Sequence, residues 1–231
     1  PFVSKVTGTN FAEEAMRRML GVRRATKVDA LDLDHVGVKV PMFSFSRLAG
    51  ADPVLGVEMA STGEVGCIGE DIHEALLKGL IATGFLLPKR GVLLSLGPWE
   101  DKFWFADEAR ALSEQLGLHL YATEGTADML RSIGLRVRPV GKDESDRQSI
   151  RCLMESGAVD LVINVPRAYD QMGRPDGYLI RRMAIDSSTP LLTDQKLARA
   201  VIEAMLQKSP DDLHVTALGE TIPSRWSNGS A

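Results

Sequence analysis

The sequence predicts an α/β fold in which a five-stranded parallel sheet has helices on both of its faces. Three observations predict it. The second half of the 231 residues contains five short, almost wholly apolar runs, as expected of strands that are buried on both faces. The stretches between these runs carry apolar residues at helical spacing. Glycine or proline separates many of the segments, which is typical of strands that alternate with helices.

The first 87 residues show a different pattern, which predicts a mixed α+β segment. Asn10 is suited to cap a helix with apolar residues at i, i+4 and i+8, and Gly21 ends it. Residues 35–45 and 64–70 are strand-like, and residues 51–63 between them are rich in turn formers. One face of the next predicted helix carries Ile72, Ala75, Leu76, Gly79 and Leu80.

The second half follows the strand–helix rhythm in order. The predicted strands are VLLSL (92–96), LHLYA (118–122), LRVRPV (135–140), DLVIN (160–164) and PLLT (190–193). The predicted helices span 105–116, 126–133, a segment capped by Asp146 and ended by Gly157, 178–186 and 197–205. The sequence GFLLPKRG (84–91) predicts a domain boundary near Pro88. We therefore predict domains at 1–87 and 88–208 and a loose tail at 209–231.

Composition narrows the classes of function. A net charge of −4 argues against a broad nucleic-acid surface, because phosphate backbones require a basic face. No apolar stretch approaches the ~20 residues of a membrane span, and no signal peptide opens the sequence. Cys67 and Cys152 lie in apolar segments outside any metal or redox spacing, which predicts two small buried side chains. These features favour a cytoplasmic protein that binds neither nucleic acid nor membrane.

Polar side chains follow four of the predicted parallel strands. In open α/β sheets ligands bind at the carboxyl ends of the strands, so these side chains are expected at one edge. Thr126 is placed at a helix N-terminus, where N–H groups favour an anion, and Gly125 allows close backbone approach. Taken one at a time, these residues also have simpler interpretations. Thr126 alone fits a helix cap, either lysine alone fits an exposed surface position, and Asn164 alone fits a turn. The set is Asp101, Lys102, Thr123, Thr126, Lys142 and Asn164.

Groupings typical of catalysis are scarce. The four histidines are scattered, with no nucleophile or charge partner at a recognisable spacing. Glu58 and Glu64 flank the sequence MASTG. They are suited to bind a metal or to act as a general base, and they equally fit carboxylates that are solvated or that cap a helix. Proton-transfer catalysis beside a bound anion would require a carboxylate base and a histidine. Asp143 and Asp146 offer the carboxylate, but no well-placed histidine is evident.

Several motifs resemble the large chain of carbamoyl-phosphate synthetase, also called carbamoyl-phosphate synthase. They are PFVSKVTG, GADPVLGVEMASTGEV, YATEGTADML, DLVINVP and IRRMAIDSSTPLLT, in the family's order. Residues 1–87 resemble the end of the second ATP-grasp unit, which phosphorylates carbamate. Residues 88–208 resemble the methylglyoxal-synthase-like allosteric domain.

The resemblance implies a role in a larger ligase. The parent enzyme makes carbamoyl phosphate from bicarbonate, glutamine-derived ammonia and two ATP, for arginine and pyrimidine synthesis. Its expected partners are the rest of the large chain and the glutaminase small chain, and its cofactors are ATP, Mg or Mn, and K. Because the family's nucleotide and metal ligands lie mostly before this sequence, we expect no cofactor, catalytic residue or metal ligand here. The alternatives are a stand-alone effector-binding module and, less favoured, a methylglyoxal-synthase-type lyase.

The family's effector site can be transferred residue by residue. The positions that match are Lys102, Thr123, Thr126, Lys142 and Asn164, with a one-residue insertion needed before Lys102. The family's bacterial form has hydroxyls beyond the asparagine, whereas Val165, Pro166 and Arg167 stand here, and Gly177 replaces a further hydroxyl. The resemblance allows UMP, IMP, UTP, N-acetylglutamate or no effector.

A second effector contact is suggested by Thr193. This residue matches a position that helps to hold ornithine in some bacterial members. The glutamate that accompanies it falls at Gly37, which argues against ornithine as the ligand.

Overall fold

The structure is a computed structural model in which part of the chain is described. It describes residues 1–22, 33–54, 61–141, 144–166, 177–217 and 220, and the side chains of 144–148 are left out of the description.

The described part of the N-terminal segment contains three α-helices and an antiparallel pair of strands. They are α1 (Phe2–Thr7), α2 (Phe11–Met19), β1 (Val36–Met42), β2 (Gly63–Gly69) and α3 (Ile72–Ala82). β1 and β2 pair from Val36↔Gly69 to Met42↔Gly63. The predicted cap of α2 is confirmed, because Asn10 accepts a hydrogen bond from the N–H of Glu13 at 3.2 Å. The mixed α+β pattern predicted for this segment is thus present.

The five predicted parallel strands form one sheet. They are β3 (Gly91–Ser95), β4 (His119–Thr123), β5 (Val137–Val140), β6 (Leu161–Asn164) and β7 (Leu191–Leu192). The strand order is β5-β4-β3-β6-β7, and every neighbouring pair is parallel. The predicted fold class is therefore confirmed.

Six α-helices accompany these strands in the described residues. They are α4 (Trp99–Trp104), α5 (Ala106–Arg110), α6 (Glu124–Ser132), α7 (Glu144–Glu155), α8 (Tyr178–Asp186) and α9 (Gln195–Gln207). A π-helical turn at Ala111–Gln115 continues α5. α4 was not predicted. The prediction that Asp146 caps a helix is wrong, because α7 has already begun at Glu144.

Two apolar clusters cover the two faces of the sheet. One includes Leu93 with buried residues of α7 and α8. The other includes Leu94 with buried residues of α5, α6 and α9, and it also takes in Leu77 of α3. The packing therefore joins α3, which precedes Pro88, to helices that follow it. The domain boundary near Pro88 remains a prediction.

The two cysteines differ in their surroundings. Cys67 is half-buried, and burial raises the pKa of its thiol. Cys152 is exposed, so the prediction that it is a small buried residue is wrong. The reason is helical geometry, since α7 turns Ile150 and Met154 into the core and Cys152 lies between them on the outer face.

The first part of the predicted tail is attached to the protein. Leu213 packs against the core that includes α3 and α9. The N–H of His214 donates to the buried carboxylate of Glu74 at 3.1 Å. A loose tail is therefore wrong for residues 209–214, and residues 221–231 lie outside the described part.

Two surface features concern possible partners. No helix among the described residues is both long and apolar enough to cross a membrane. α2 has no buried residue, and its neighbourhood leaves several large apolar side chains exposed. These are Phe11, Met16, Met19 and Leu20.

The stability of the N-terminal segment should depend on pH through His35. Its ring nitrogens lie 2.7 Å from the carbonyl oxygen of Val6 and 2.9 Å from the carboxylate of Asp34. Burial lowers the pKa of His35, but the carbonyl and the carboxylate outweigh it and raise this pKa overall. The stabilisation is present below the unfolded pKa of about 6.5 and is lost as pH rises through the higher folded value.

We expect the urea midpoint of unfolding to be lower at pH 8 than at pH 6, and His35→Gln to reduce this difference. His119→Gln is the control, because His119 is exposed at the start of β4. An equal midpoint shift in wild type and His35→Gln would contradict this prediction.

Candidate anion-binding site

The carboxyl ends of β3 and β6 meet where the strand order of the sheet reverses. The chain runs from β3 to β4 and β5 on one side, and β6 lies on the other side of β3. Ser95 and Asn164, which end the two strands, are paired in the ladder. Such a reversal opens a crevice beyond the strand ends, where ligands bind in open α/β sheets. We call this edge the sheet rim and define it by Ser95, Lys102, Thr123, Thr126 and Asn164.

The two threonines lie at the passage from β4 into α6. α6 begins at Glu124, directly after the strand, so Thr123 occupies the cap position and makes no side-chain capping bond. The prediction that Thr126 is the helix cap is wrong, because this residue lies in the first turn of α6. Its buried hydroxyl instead accepts a hydrogen bond from the N–H of Leu96 at 3.3 Å. This bond ties the segment after β3 to α6.

Lys102 lies against the first turn of α6. It is carried by α4, a helix that was not predicted, and is only 8% exposed. Its Nζ is 3.0 Å from the place that a Cβ on Gly125 would occupy. Glycine therefore lets the ammonium come close to the backbone of α6.

The electrostatics of this contact favour an anion. A helix N-terminus carries a partial positive charge, and cations are normally stabilised at the opposite end of a helix. The ammonium of Lys102 therefore adds positive charge to an end that is already positive. An anion bound beside the ammonium and the helix end would be attracted by both, and low exposure strengthens the attraction.

Asn164 is buried at the end of β6 and its amide has defined partners. Its oxygen accepts a hydrogen bond from Nη1 of Arg181 at 2.6 Å, and its nitrogen donates to the carbonyl of Ser95 at 3.4 Å. Arg181 is fully buried and also forms two bonds to the carboxylate of Asp52, at 2.8 and 2.7 Å. The orientation of Asn164 is thus fixed from two sides.

Gly177 faces the Asn164 amide. Its φ of 82° lies in the left-handed region, which favours glycine. A Cβ there would lie 2.6 Å from Nδ2 of Asn164 and 3.0 Å from Nη1 of Arg181. A hydroxyl-bearing side chain at this position therefore does not fit beside Asn164 as it stands, which accounts physically for the departure noted in the sequence.

Three groups that support the sheet rim were not predicted from the sequence. Ser95 contributes its backbone carbonyl, Leu96 its N–H, and Arg181 its side chain. Backbone groups leave no pattern in a sequence. Arg181 did leave one, because it follows the apolar Ile180 in a helix whose Met183 and Ala184 are also buried, and a charge at such a position requires a buried partner.

Some predicted contributors lie elsewhere or outside the described residues. Lys142, Asp143, Arg167 and Glu58 are not described. Glu64 lies in β2 and forms a 2.6 Å ion pair with the partly exposed Lys39. Among the described residues, no group of three or more His, Cys, Asp or Glu side chains is suited to hold a metal ion.

Thr193 lines a cavity that lies away from the rim residues. This cavity has a volume of about 550 Å³ and lies between β1, α3 and the segment that leads into α9. Most of its lining is apolar, with Lys39, Thr83 and Thr193 among the polar exceptions. Gly37 packs against Val6, where a Cβ would come within 2.5 Å of a methyl group.

Comparison with known proteins shows which proteins the chain is similar to. A family model described as the MGS-like domain matches residues 105–193. The multifunctional protein pyrABCN of Emericella nidulans is 46% identical over 217 residues, which are 89% of this chain and 10% of that protein. The mitochondrial carbamoyl-phosphate synthase (ammonia) of Homo sapiens is 41% identical over 223 residues, which are 90% of this chain and 14% of that protein. The chain is thus similar, over 90% of its length, to one part of a carbamoyl-phosphate synthase.

The resemblance noted in the sequence is therefore confirmed. The chain spans only 10% and 14% of these two relatives, and the MGS-like match includes β4 to β7 of the sheet. A methylglyoxal synthase from Elizabethkingia anophelis has 19% identity and a TM-score of 0.39, over 55% of this chain and 83% of the other.

Proposed function

We propose that this chain is the C-terminal regulatory part of a carbamoyl-phosphate synthase large chain and that its sheet rim binds an anionic allosteric effector. Lys102, Thr123 and Thr126 hold the anionic group, and Lys142 adds a second ammonium. Asn164 contacts a neutral part of the ligand. UMP, IMP, UTP and N-acetylglutamate are the candidates, each of which carries a phosphate or carboxylate.

The observation that carries this proposal is the placement of Lys102. Its ammonium lies beside Gly125 in the first turn of α6, the end of the helix that carries a partial positive charge. Phosphate and carboxylate groups bind at helix N-termini because the free N–H groups and the helix dipole attract negative charge. The same attraction would act on an anion beside the first turn of α6. The position at a reversal of strand order supports the same interpretation.

Histidine placement favours a binding site over a lyase. His119 begins β4, whereas Thr123 ends it, so the two lie at opposite ends of the strand. His35 is held between Asp34 and Val6 in the N-terminal segment. Neither His119 nor His35 is therefore placed to transfer a proton beside the sheet rim.

The parent enzyme supplies the remaining parts of the function. We propose that residues 1–87 complete an ATP-grasp unit and that the exposed apolar side chains around α2 pack against the rest of the large chain. ATP, Mg or Mn, and K are bound by that larger assembly, with the glutaminase small chain as partner. Carbamoyl phosphate then serves arginine and pyrimidine synthesis in the cytoplasm. The chain by itself has no synthase activity.

The effect of Lys102→Gln on ligand binding tests the proposed site. We expect one of the four candidate ligands to bind the wild-type chain and Lys102→Gln to weaken it about tenfold to a hundredfold. This is the loss expected when a hydrogen bond to a charged group, about 1.5–3 kcal/mol, is removed. Isothermal titration calorimetry with each ligand gives the affinities.

Lys89→Gln is the matched control, because Lys89 is exposed at the other end of β3. It makes the same change of charge and should leave the affinity within about twofold. The assignment is wrong if a ligand binds wild type and Lys102→Gln equally well, or if none of the four binds the folded chain.

A further inference from the structure

Side chains of α8 form hydrogen bonds to the connection between β1 and β2. We call this connection, residues 43–62, the β1–β2 loop, and the structure describes its residues 43–54 and 61–62. The hydroxyl of Tyr178 donates to the carbonyl of Gly50 at 2.7 Å. The base of the loop is closed by the N–H of Ser44, which donates to the hydroxyl of Thr62 at 3.1 Å. The guanidinium of Arg182 donates to three backbone oxygens of the loop, those of Phe45, Leu48 and Ala51.

Arg181 connects this loop to the sheet rim. Its Nε and Nη2 bind the two oxygens of Asp52, at 2.8 and 2.7 Å, and its Nη1 binds Oδ1 of Asn164 at 2.6 Å. A single planar guanidinium thus spans from the β1–β2 loop to the end of β6. Because the fork of an arginine is rigid, a change in the position of one partner changes the geometry offered to the other.

The surroundings leave Arg181 and Asn164 little freedom. Arg181 is fully buried, and Asn164 is 1% exposed. The close approach of Gly177 and the bond to the Ser95 carbonyl hold the Asn164 amide from its other sides. A ligand that engages Asn164 therefore acts on a group whose orientation Arg181 sets.

We infer that Arg181 is a positioning residue that couples ligand binding at the sheet rim to the docking of the β1–β2 loop on α8. The inference rests on the proposed effector site. Asp52 holds Arg181, Arg181 orients Asn164, and Asn164 receives the ligand. Coupling between two sites is reciprocal, so the ligand strengthens the docking of the loop to the same degree that the docked loop strengthens ligand binding.

The test combines amide hydrogen exchange in residues 45–52 with ligand affinity, in wild type and Asp52→Asn. The probes are UMP, IMP, UTP and N-acetylglutamate. In wild type the bound ligand should slow exchange in the loop. In Asp52→Asn the ligand should bind about fivefold to 150-fold more weakly, the usual range of coupling, and loop exchange should no longer respond to it. Asp211→Asn, at an exposed aspartate, should behave as wild type.

Two outcomes overturn the inference. The first is a ligand that binds Asp52→Asn as tightly as wild type and leaves loop exchange unchanged in both. The second is measured without a ligand. It is needed if none of the probes binds the folded chain, a result that by itself defeats the proposed effector site. The ligand-free variant Asn164→Ser then decides, because loss of this acceptor should speed exchange in residues 45–52 severalfold. Unchanged exchange in Asn164→Ser shows that the rim and the loop are not coupled.

Discussion

A protein made of residues 88–220 should be much less stable than one made of residues 70–220. The longer protein also contains residues 70–87, which include α3. α3 places Leu76, Leu77 and Leu80 in the same apolar cluster as residues of α9. Each buried leucine contributes about 1.5–3 kcal/mol, so the three together approach the total stability of about 5–15 kcal/mol that is usual for a domain. Urea unfolding followed by circular dichroism compares the two proteins.

Single substitutions in the whole chain separate this packing from other effects of truncation. Leu77→Ala should lower the free energy of unfolding by about 2–5 kcal/mol, because the side chain is completely buried. Ile81→Ala is the matched control on the same helix, since Ile81 is 41% exposed, and it should cost much less. If the protein of residues 88–220 is as stable as the longer one, the predicted boundary near Pro88 holds and α3 is dispensable for the sheet.

The second large effect is expected from Glu74→Gln. The carboxylate of Glu74 is buried and accepts from the N–H groups of Glu70 and His214, at 2.7 and 3.1 Å. It also forms a 2.7 Å ion pair with Lys78. Loss of the charge leaves the ammonium of Lys78 without its carboxylate, so we expect a loss of about 3 kcal/mol, near the lower end for a broken buried ion pair.

The Glu74 contribution should also depend on pH. Burial raises the pKa of Glu74, but the bonds from Lys78 and the two N–H groups outweigh it and lower this pKa overall. The stabilisation is therefore present above the usual glutamate value and is lost as pH falls through the lower folded value. Unfolding midpoints from pH 7 down to pH 3 should converge for wild type and Glu74→Gln.

Glu203→Gln, at an exposed position of α9, is the control and should leave the midpoint nearly unchanged. Equal midpoints for wild type and Glu74→Gln at pH 7 would show that the buried carboxylate adds no net stability. The attachment of His214 would then have to depend on the packing of Leu213.

The strands could be predicted from the sequence because burial on both faces leaves a short apolar run that few other structures produce. Helix boundaries were less certain. The sequence predicts a helix that begins at Thr126, whereas the chain passes from β4 into α6 without a loop and makes Thr123 the cap. α4 was missed because its six residues are too few to show a helical period.

The residues of the candidate site were predicted more fully than their contacts. Parallel strands must bring Thr123 and Asn164 to one edge, so their neighbourhood follows from the order of the strands. The bonds of Arg181 to Asp52 join residues 129 positions apart in the sequence. No local pattern encodes such a pair, and only tertiary packing shows which acid the buried arginine meets.

A crystal structure of the chain with the ligand that binds most tightly in calorimetry tests the central claim most directly. The account predicts that the phosphate or carboxylate lies within hydrogen-bonding distance of Nζ of Lys102 and of the first turn of α6, with Asn164 near the neutral part of the ligand. A ligand found instead in the cavity beside Thr193, with no anionic group at the sheet rim, would contradict the account.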